Sequence, residues 1–348
     1  MDVPPSEAPR FSLGRSLLFS TVIVVTLLGA AEGLLRLVGV RPPVRPRLLL
    51  RAIDVDIDFP FMRADPELFW SPRPGFEGEF LGKPVRIDAL GLRGDGVSLP
   101  KPPGRRRVVC FGDSITFGYG VGDQETYAFL LGRELAAQGV ETVNAGVTGY
   151  TSHQVRKRLR ALAPTLQADV ATFCIGWNDG TRRVVDDREY DRRLHRVMAV
   201  EGLLDRVYIY RALKRLYLGA LVAHPEGQPR EAYRVSLPQY RENLEAIVAL
   251  CRQHGIQPAF VSLPRRRQPG QAPVESPYPG ALAAAARELG VPLLEAGPLG
   301  YDTAPEDNQR LFIDTLHFSP EGHAQLARLL AAQLVERGLV PAGPAPAP

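Results

Sequence analysis

Four short polar runs hold the residues whose types and spacing could do chemistry. They are Gly112-Asp113-Ser114, Asn144-Ala145-Gly146, Gly176-Trp177-Asn178-Asp179 and Asp314-Thr315-Leu316-His317. Each of the first three follows a run of apolar residues, and the fourth stands just before a predicted helix. Nucleophilic acyl transfer requires a hydroxyl, a base that takes its proton and a group that orients the base. The four runs contain all three kinds of group.

Ser114, His317 and Asp314 fit these three roles. Ser114 follows an apolar strand, so its hydroxyl would stand at the mouth of a sheet, where open α/β folds bind ligands. His317 can act as the base, and Asp314 lies three residues earlier, close enough to bond the other ring nitrogen and fix the tautomer. His323 is a weaker candidate base, because it lies inside a predicted helix without a carboxylate at that spacing.

The same runs offer hydrogen-bond donors for a developing oxyanion. The backbone N–H groups of Ser114 and Gly146 suit this role, and glycine at 146 would let a substrate approach the main chain closely. The Asn178 amide adds a neutral donor. Asp113 and Asp179 are interpreted as groups that brace their loops. Each residue alone also fits a cap or a turn, but their joint order at successive strand ends favours a hydrolytic site.

The elements that must position these residues alternate along the chain from Arg106 onward. Strands are predicted at Arg107–Phe111, Thr142–Ala145, Val170–Ile175, Pro258–Leu263 and Pro292–Glu295. Helices are predicted at Thr126–Gln138, Ser152–Leu162, Pro238–His254, Ala281–Leu289 and Pro320–Arg337. This alternation is typical of an α/β fold in which a parallel sheet carries helices on both faces.

An apolar segment predicts a transmembrane helix over residues 16–40, after an N-terminal flank at 1–15. A span needs about 20 mostly apolar residues, and the charges inside the segment, Glu32 and Arg36, are four apart and can pair on one helix face. A cleaved signal peptide and a buried soluble helix are the alternatives. More arginines follow the segment than precede it, which by the positive-inside rule would keep the C-terminal part in the cytoplasm.

The remaining segments surround one main domain at residues 106–338. Residues 41–105 comprise a Pro- and Arg-rich linker and a short β-rich segment. Residues 181–235 interrupt the alternation with an Arg- and Tyr-rich insertion, which we expect to form a lid. Residues 339–348 are rich in Pro, Ala and Gly, a composition typical of disorder.

Composition excludes several classes of protein. The net charge is only +4, and the arginines are interleaved with acidic residues, so nucleic-acid binding is not expected. The three cysteines form no CxxC pair and are predicted to be small buried residues. The six histidines are scattered without close ligand spacing, so no metal site is predicted. The oligomeric state is left open.

The four polar runs together resemble those of the SGNH/GDSL hydrolases, over about Arg106–Gly338. The resemblance implies a three-layer α/β/α, flavodoxin-like sandwich with a mostly five-stranded parallel sheet and no metal or organic cofactor. It implies a nucleophile, its two partners and two further oxyanion-hole residues at Ser114, Asp314, His317, Gly146 and Asn178.

The run Gly91-Leu92-Arg93 also resembles the membrane-anchored bacterial members of that family. Their catalytic domain usually lies outside the cytoplasmic membrane, and we expect the same single-pass, periplasmic placement here. The expected substrate is an acyl ester on envelope carbohydrate. A lipid ester, as for a lysophospholipase, acyl transfer to a polysaccharide and a non-catalytic carbohydrate-binding module are the alternatives.

Two arginine groups are predicted to stand at the same sheet edge as Ser114. Arg182 and Arg183 follow the third polar run, and Arg265-Arg266-Arg267 follow the fourth predicted strand. Such a rim would favour an anionic substrate. The alternative is that these arginines pair with nearby carboxylates, since surface ion pairs are common and weak.

Overall fold

The structure is a computed structural model of the chain, and it describes residues 13–39, 59–183, 185–192, 195, 206–210, 212–213, 232–262, 276–299 and 305–342. The chain divides into two compact units, which are treated separately below. One unit comprises residues 1–48 and 195–227, and the other comprises residues 49–194 and 228–348.

The first unit contains helix α1 (Leu13–Leu37). The Arg36 guanidinium bonds the Glu32 carboxylate at 2.9 Å, which confirms the expected pair. The same carboxylate accepts the backbone N–H groups of Tyr208 and Ile209, each at 2.9 Å. Residues 14–37 are long and apolar enough to cross a membrane, a property that a signal sequence shares.

The second unit begins with two antiparallel hairpins, located in the segment predicted to be rich in β structure. The first pairs β1 (Met62–Asp65) with β2 (Phe69–Pro72), and the second pairs β3 (Glu77–Phe80) with β4 (Lys83–Arg86). Later in the same segment, Arg93 donates its backbone N–H to the Asn144 carbonyl, at the end of an edge strand of the main sheet. The hairpins therefore belong to the same packed unit as the main sheet.

The main sheet has five parallel strands and confirms the predicted fold class. They are β5 (Arg106–Gly112), β6 (Val140–Asn144), β7 (Val170–Cys174), β10 (Gln257–Val261) and β11 (Leu293–Leu294). Their order across the sheet is β11-β10-β7-β5-β6. Counted along the chain, this is the 2-1-3-4-5 order of flavodoxin-like sheets, in which ligands bind beyond the carboxyl ends of the strands. All five strands were predicted within a few residues.

Helices of two packed groups cover this sheet. In chain order they are α2 (Ser114–Phe117), α3 (Tyr127–Glu134), α4 (Ser152–Leu166), α5 (Leu237–Gln253), α6 (Pro277–Leu289), α7 (Pro305–Leu311) and α8 (Pro320–Glu336). Helix α3 packs on α8, and α5 packs on both α4 and α6. Thr126 and Ser319 cap α3 and α8 by accepting backbone N–H groups, as helix starts require.

The predicted insertion begins and ends in a short antiparallel ladder of β8 (Arg182–Arg183) with β9 (Ala232–Tyr233). These ends belong to the second unit, whereas residues 195–227 belong to the first. Much of the insertion lies outside the described residues, so its role as a lid stays a prediction. At the other end of the chain, Leu339 and Val340 are buried, and residues 343–348 lie outside the described part.

Candidate active site

The loops that follow β5, β6 and β7 bring the predicted site residues to one edge of the sheet. Strand β5 ends at Gly112, and Asp113 then caps α2 by accepting the Ile115 N–H at 2.9 Å. Ser114 is the first residue of that helix and only 5% exposed. Its hydroxyl is therefore held by a rigid strand-to-helix turn.

Ser114, His317 and Asp314 form a continuous hydrogen-bonded chain. Ser114 Oγ lies 2.8 Å from His317 Nε2, although the two residues are 203 positions apart. His317 Nδ1 lies 2.7 Å from Asp314 Oδ2. An ionised carboxylate only accepts hydrogen bonds, so Nδ1 carries the proton and Nε2 is available to accept from the serine. This is the arrangement that nucleophilic acyl transfer requires.

The Asp314 carboxylate is held in its charged form. Partial burial opposes ionisation, but hydrogen bonds from the His317 ring and from the His317 and Leu316 N–H groups outweigh it and lower the pKa of Asp314 to about 2. Those backbone bonds measure 2.7 and 2.8 Å. Asp314 can therefore orient the imidazole and stabilise its cationic form throughout the neutral range.

Asn178 lies in the loop after β7 and contacts the residue before the nucleophile. Its Nδ2 donates to the Tyr150 carbonyl at 3.0 Å and to Asp113 Oδ2 at 3.2 Å. The Tyr150 contact places the neighbouring residue Gly149 beside the Asn178 amide. The N–H groups of Ser114 and Gly149 donate to no acceptor among the described residues, so both are available to a ligand.

The Gly146 N–H has a different partner from the one expected. It donates to Asn144 Oδ1 at 3.0 Å, while Asn144 Nδ2 donates to the Thr116 carbonyl at 2.8 Å. A Cβ at 146 would come within 2.7 Å of the Thr116 backbone carbon. Glycine is needed here because the loop after β6 packs directly against α2.

Gly149 was not singled out from the sequence. It is half-buried and has a φ of 79°, a conformation that favours glycine. Its place in the loop after β6 was the available signal, since glycine is often found where the backbone approaches a ligand closely.

Asp113 and Asp179 brace the loops of the site, as predicted. Asp179 accepts the Ser152 N–H at 3.1 Å and the Ser152 hydroxyl at 2.5 Å. Burial raises the pKa of Asp113 to about 6 and that of Asp179 to about 7. Both carboxyls serve the loops that carry Ser114 and Asn178.

His323 is not placed to act as the base. Its Nδ1 accepts the Tyr127 N–H at 3.1 Å, inside the contact between α3 and α8. Burial, reinforced by the charges of Arg93 and His317, lowers the pKa of His323 to about 3. The ring is therefore a neutral packing residue.

An aromatic ring stacks on His317, and two exposed aliphatic side chains lie near Gly120 in the adjoining loop. The Tyr119 ring stacks on the imidazole, with centroids 4.3 Å apart and planes at 28°. Leu81 and Ile313 are 61% and 44% exposed, and both approach Gly120. The histidine side of the site is thus apolar and partly open to solvent.

The predicted arginine rim is only partly described. The Arg182 guanidinium lies 4.6 Å from the centroid of the Tyr233 ring, and its Nη2 is 3.4 Å from the Tyr233 hydroxyl. Arg183 pairs with Ala232 in the ladder of β8 and β9. Arg265, Arg266 and Arg267 lie outside the described residues. A cationic rim therefore stays a prediction.

The described residues contain no group of three or more His, Cys, Asp or Glu side chains that could hold a metal ion. The chemistry of the site follows from the hydroxyl, imidazole and carboxylate described above. A flavodoxin-like sheet with this chain of bonds at its carboxyl edge defines a serine-dependent acyl-transfer enzyme.

The chain belongs to the GDSL-like lipase/acylhydrolase family, whose model matches residues 110–325, more than half of its length. Membership in this family places the chain among the serine ester hydrolases. The rhamnogalacturonan acetylesterase RhgT of Bacillus subtilis (strain 168) is 31% identical over 146 residues, which are 35% of this chain and 62% of the relative. The chain thus spans less than two thirds of that relative's length.

Solved structures with a similar fold have low sequence identity. A lipase/acylhydrolase from Enterococcus faecalis is 20% identical and covers 69% of this chain and 100% of its own, with a TM-score of 0.44. The psychrotrophic esterase EstA from Pseudoalteromonas sp. is 16% identical and covers 67% of this chain and 98% of its own, also at 0.44. Likeness at this level concerns the fold alone.

The raised pKa of Asp179 predicts a pH-dependent stability. Between the usual carboxyl value of 3.8 and about 7 the folded state holds a proton that the unfolded state has lost. The free energy of unfolding should therefore fall as pH rises through this window, by up to about 1.4 kcal/mol per pH unit. Asp179→Asn should remove this part of the slope and keep the contribution of Asp113. Urea unfolding followed by tryptophan fluorescence from pH 4.5 to 7.5 measures both proteins, and parallel curves would contradict the prediction.

Gly146→Ala should destabilise the fold and displace the nucleophile. The added methyl group would collide with Thr116 in α2, and overpacking of this kind costs about 1–3 kcal/mol. Gly280→Ala is the matched control, because nothing lies within 4 Å of a Cβ there. The thermal unfolding temperature and the esterase rate of both variants test this prediction. If the two variants have the same stability and rate, the loop after β6 can shift to accommodate the methyl group, and the prediction is wrong.

Proposed function

We propose that this chain hydrolyses a carboxylic ester through an acyl-enzyme intermediate on Ser114. The observation that carries the proposal is the bonded chain from Ser114 Oγ to His317 at 2.8 Å and from His317 to Asp314 at 2.7 Å. Membership in an acylhydrolase family supports the same chemistry. A binding module without activity would have no need of this alignment.

In the first half-reaction Ser114 Oγ attacks the ester carbonyl carbon while its proton passes to His317 Nε2. The resulting tetrahedral oxyanion collapses, the alcohol leaves with the proton from His317, and the acyl group stays on the serine. In the second half-reaction His317 takes a proton from water, whose oxygen attacks the acyl carbon. The second tetrahedral intermediate collapses, the bond to Ser114 Oγ breaks, the acid leaves, and His317 returns the proton to Ser114 Oγ. Asp314 stabilises the imidazolium in both halves.

We propose that the oxyanion is held by the N–H groups of Ser114 and Gly149 together with the Asn178 amide. Gly149 takes the place first assigned to Gly146, because its N–H has no acceptor among the described residues and Gly146 bonds Asn144. The Asn178 Nδ2 now donates to the Tyr150 carbonyl at 3.0 Å and to Asp113 Oδ2 at 3.2 Å, and an amide has only two N–H donors. To bind the oxyanion, the amide therefore exchanges its longer bond, the one to Asp113, for the developing charge.

The proposed substrate is an O-acyl group on carbohydrate of the cell envelope, with the enzyme anchored by α1 and its site outside the cytoplasmic membrane. The partial likeness to a rhamnogalacturonan acetylesterase supports the acetylated-carbohydrate class. A lipid ester is the second candidate, favoured by the exposed Leu81 and Ile313 beside the catalytic histidine. Transfer of the acyl group to a sugar hydroxyl would use the same residues, with the acceptor replacing water.

The substrate class can be decided with the detergent-solubilised full chain. Acetylated oligosaccharides, a lysophospholipid and a mixture of acyl donor with a deacetylated sugar are incubated separately, and the products are resolved by mass spectrometry. Release of acetate supports the proposal, release of fatty acid favours the lipid ester, and a newly acylated sugar favours transfer. Ser114→Ala is the blank for all three reactions.

Ser114→Ala should abolish turnover of an activated short-chain ester while leaving the fold intact, since the hydroxyl alone forms the covalent bond. A serine-directed phosphonate should add one adduct to the parent protein at Ser114 and none to the variant. Peptide mapping by mass spectrometry locates the adduct. Turnover by a well-folded Ser114→Ala protein would contradict the mechanism.

Asn178→Ala should lower kcat by about 10²–10³ with a smaller effect on KM, as for a lost oxyanion donor. Steady-state kinetics on an activated ester measure both constants. An effect on KM alone would instead make Asn178 a residue that binds the ground state.

A further inference from the structure

Arg93 stands in a buried position that the catalytic mechanism does not use. Its side chain is 1% exposed, and Nε bonds the Asp123 carboxylate at 2.9 Å. Its two terminal nitrogens donate to three carbonyls at the end of α2 and in the loop after it: Phe117 at 2.6 Å, Gly118 at 2.5 Å and Val121 at 2.5 Å. One guanidinium therefore fixes the whole course of residues 117–121.

The backbone of Arg93 is itself fixed. Its N–H donates to the Asn144 carbonyl at the end of β6, at 3.0 Å. The guanidinium also lies 4.5 Å from the centroid of the Phe117 ring. Arg93 thus connects the segment before the main sheet to both the loop after β6 and the loop after the nucleophile.

The loop that Arg93 holds carries Tyr119, and the Tyr119 ring lies over the His317 imidazole. The Tyr119 N–H donates to the Ser114 carbonyl at 3.0 Å, so the aromatic residue is tied to the nucleophile as well. The ring also meets Phe80 edge-on, with centroids 5.3 Å apart and planes at 71°. The half-buried Tyr119 ring thus has an aromatic neighbour besides the histidine.

We propose that Arg93 and Tyr119 are positioning residues for the catalytic base. Arg93 shapes the loop, and the loop presses the Tyr119 ring onto His317 so that Nε2 stays aimed at Ser114. The inference rests on the proposed role of His317 as the base. It assigns a function to a segment that lies before the family match at residues 110–325.

The physical basis is geometric and electrostatic. An aromatic face next to the imidazole restricts rotation of the ring, and it favours the cation that forms when His317 takes the serine proton. A lysine at 93 could not replace the arginine, because a single ammonium cannot serve three carbonyls and a carboxylate in a planar fork. Three titratable groups on neighbouring elements interact electrostatically with His317, namely Asp314, Asp113 and His323. The charge of Arg93 acts on His323.

The test compares rates of phosphonate labelling at Ser114 in the full chain. Tyr119→Leu should label about 10-fold more slowly, with the acid limb of its pH profile moved to lower pH, because the aromatic face no longer stabilises the cation. Tyr119→Phe keeps the ring and should stay within about twofold of the parent. Equal rates and profiles for the Leu and Phe variants would overturn the proposal.

Arg93→Lys should slow labelling by about 10- to 100-fold. Arg107→Lys is the matched control: Arg107 is also fully buried and bonds the Leu166 and Ser98 carbonyls, but it lies at the opposite end of β5. If Arg107→Lys has the same thermal stability as Arg93→Lys, it should still be labelled at the rate of the parent protein. The double variant Arg93→Lys/Tyr119→Leu should be no slower than the slower single variant, because both act through one ring. The proposed link between Arg93 and Tyr119 would be overturned if the two substitutions multiplied their effects in the double variant. It would also be overturned if Arg93→Lys and Arg107→Lys were labelled at the same rate.

A second readout does not depend on catalysis. In protein labelled with ¹³C at the histidine Cε1, Tyr119→Leu should remove the ring-current shift of the His317 signal, and Tyr119→Phe should keep it. If Arg93→Lys fails to fold, the Tyr119 pair decides the question alone. If the phosphonate does not label the parent protein at Ser114, the proposed function is wrong. If it labels the parent and all variants at the same rate, only the inference about Arg93 and Tyr119 is wrong.

Discussion

The parallel pairing of β5 with β6 on one side and β7 on the other is the constraint on which the site depends. The middle of β5 is fully buried, and its register places Cys110 opposite Asn144 and Gly112 opposite Cys174. Since parallel strands all run in one direction, the loops that follow them meet at one edge. The strand directions therefore bring the nucleophile, the loop of Gly149 and the Asn178 amide to the same edge. This convergence does not depend on a specific contact among the three.

Buried polar groups then give these loops their fixed shapes. Asp113, Asn144 and Asp179 are each almost fully buried, and each bonds main chain or side chain of a neighbouring loop. A buried polar atom without a partner is costly, so each loop is driven into the one conformation that satisfies them all. The raised pKa values of Asp113 and Asp179 are the consequence, because burial penalises their charged forms. Rigid loops are what a preorganised oxyanion site requires.

The catalytic unit extends beyond the segment that defines the family. The hairpins β1–β2 and β3–β4 precede residue 110, yet Trp70 Nε1 bonds the Thr148 carbonyl at 3.0 Å, next to Gly149. Arg93 and Phe80 reach the other side of the site from the same segment. Both flanks of the nucleophile thus rest on residues that family membership alone would not mark as functional.

The sequence by itself determined the elements and most of the chemistry. Apolar runs ending in Gly112-Asp113-Ser114 and Gly176-Trp177-Asn178-Asp179 located strands and loops, and the short spacing of Asp314 and His317 makes their bond a local property of one turn. The Glu32–Arg36 pair was equally local. Such features follow from periodicity and from contacts within a few residues.

Only the tertiary structure decided which donors face the site. Gly146 and Gly149 lie in the same loop, and the sequence does not show which N–H faces the site. In the structure the Gly146 N–H bonds the Asn144 side chain, whereas Gly149 is next to Tyr150, whose carbonyl bonds Asn178. The run Gly91-Leu92-Arg93 stood out in the sequence, but only the structure shows that the Arg93 side chain bonds three carbonyls distant in the chain. Asn178 and Arg93 are separated by tens of residues from the carbonyls that they bond. Asn144 lies only two residues from Gly146, but its side chain is held by the Thr116 carbonyl, which is 28 residues away. The packing of the whole unit therefore decides which acceptor each donor meets.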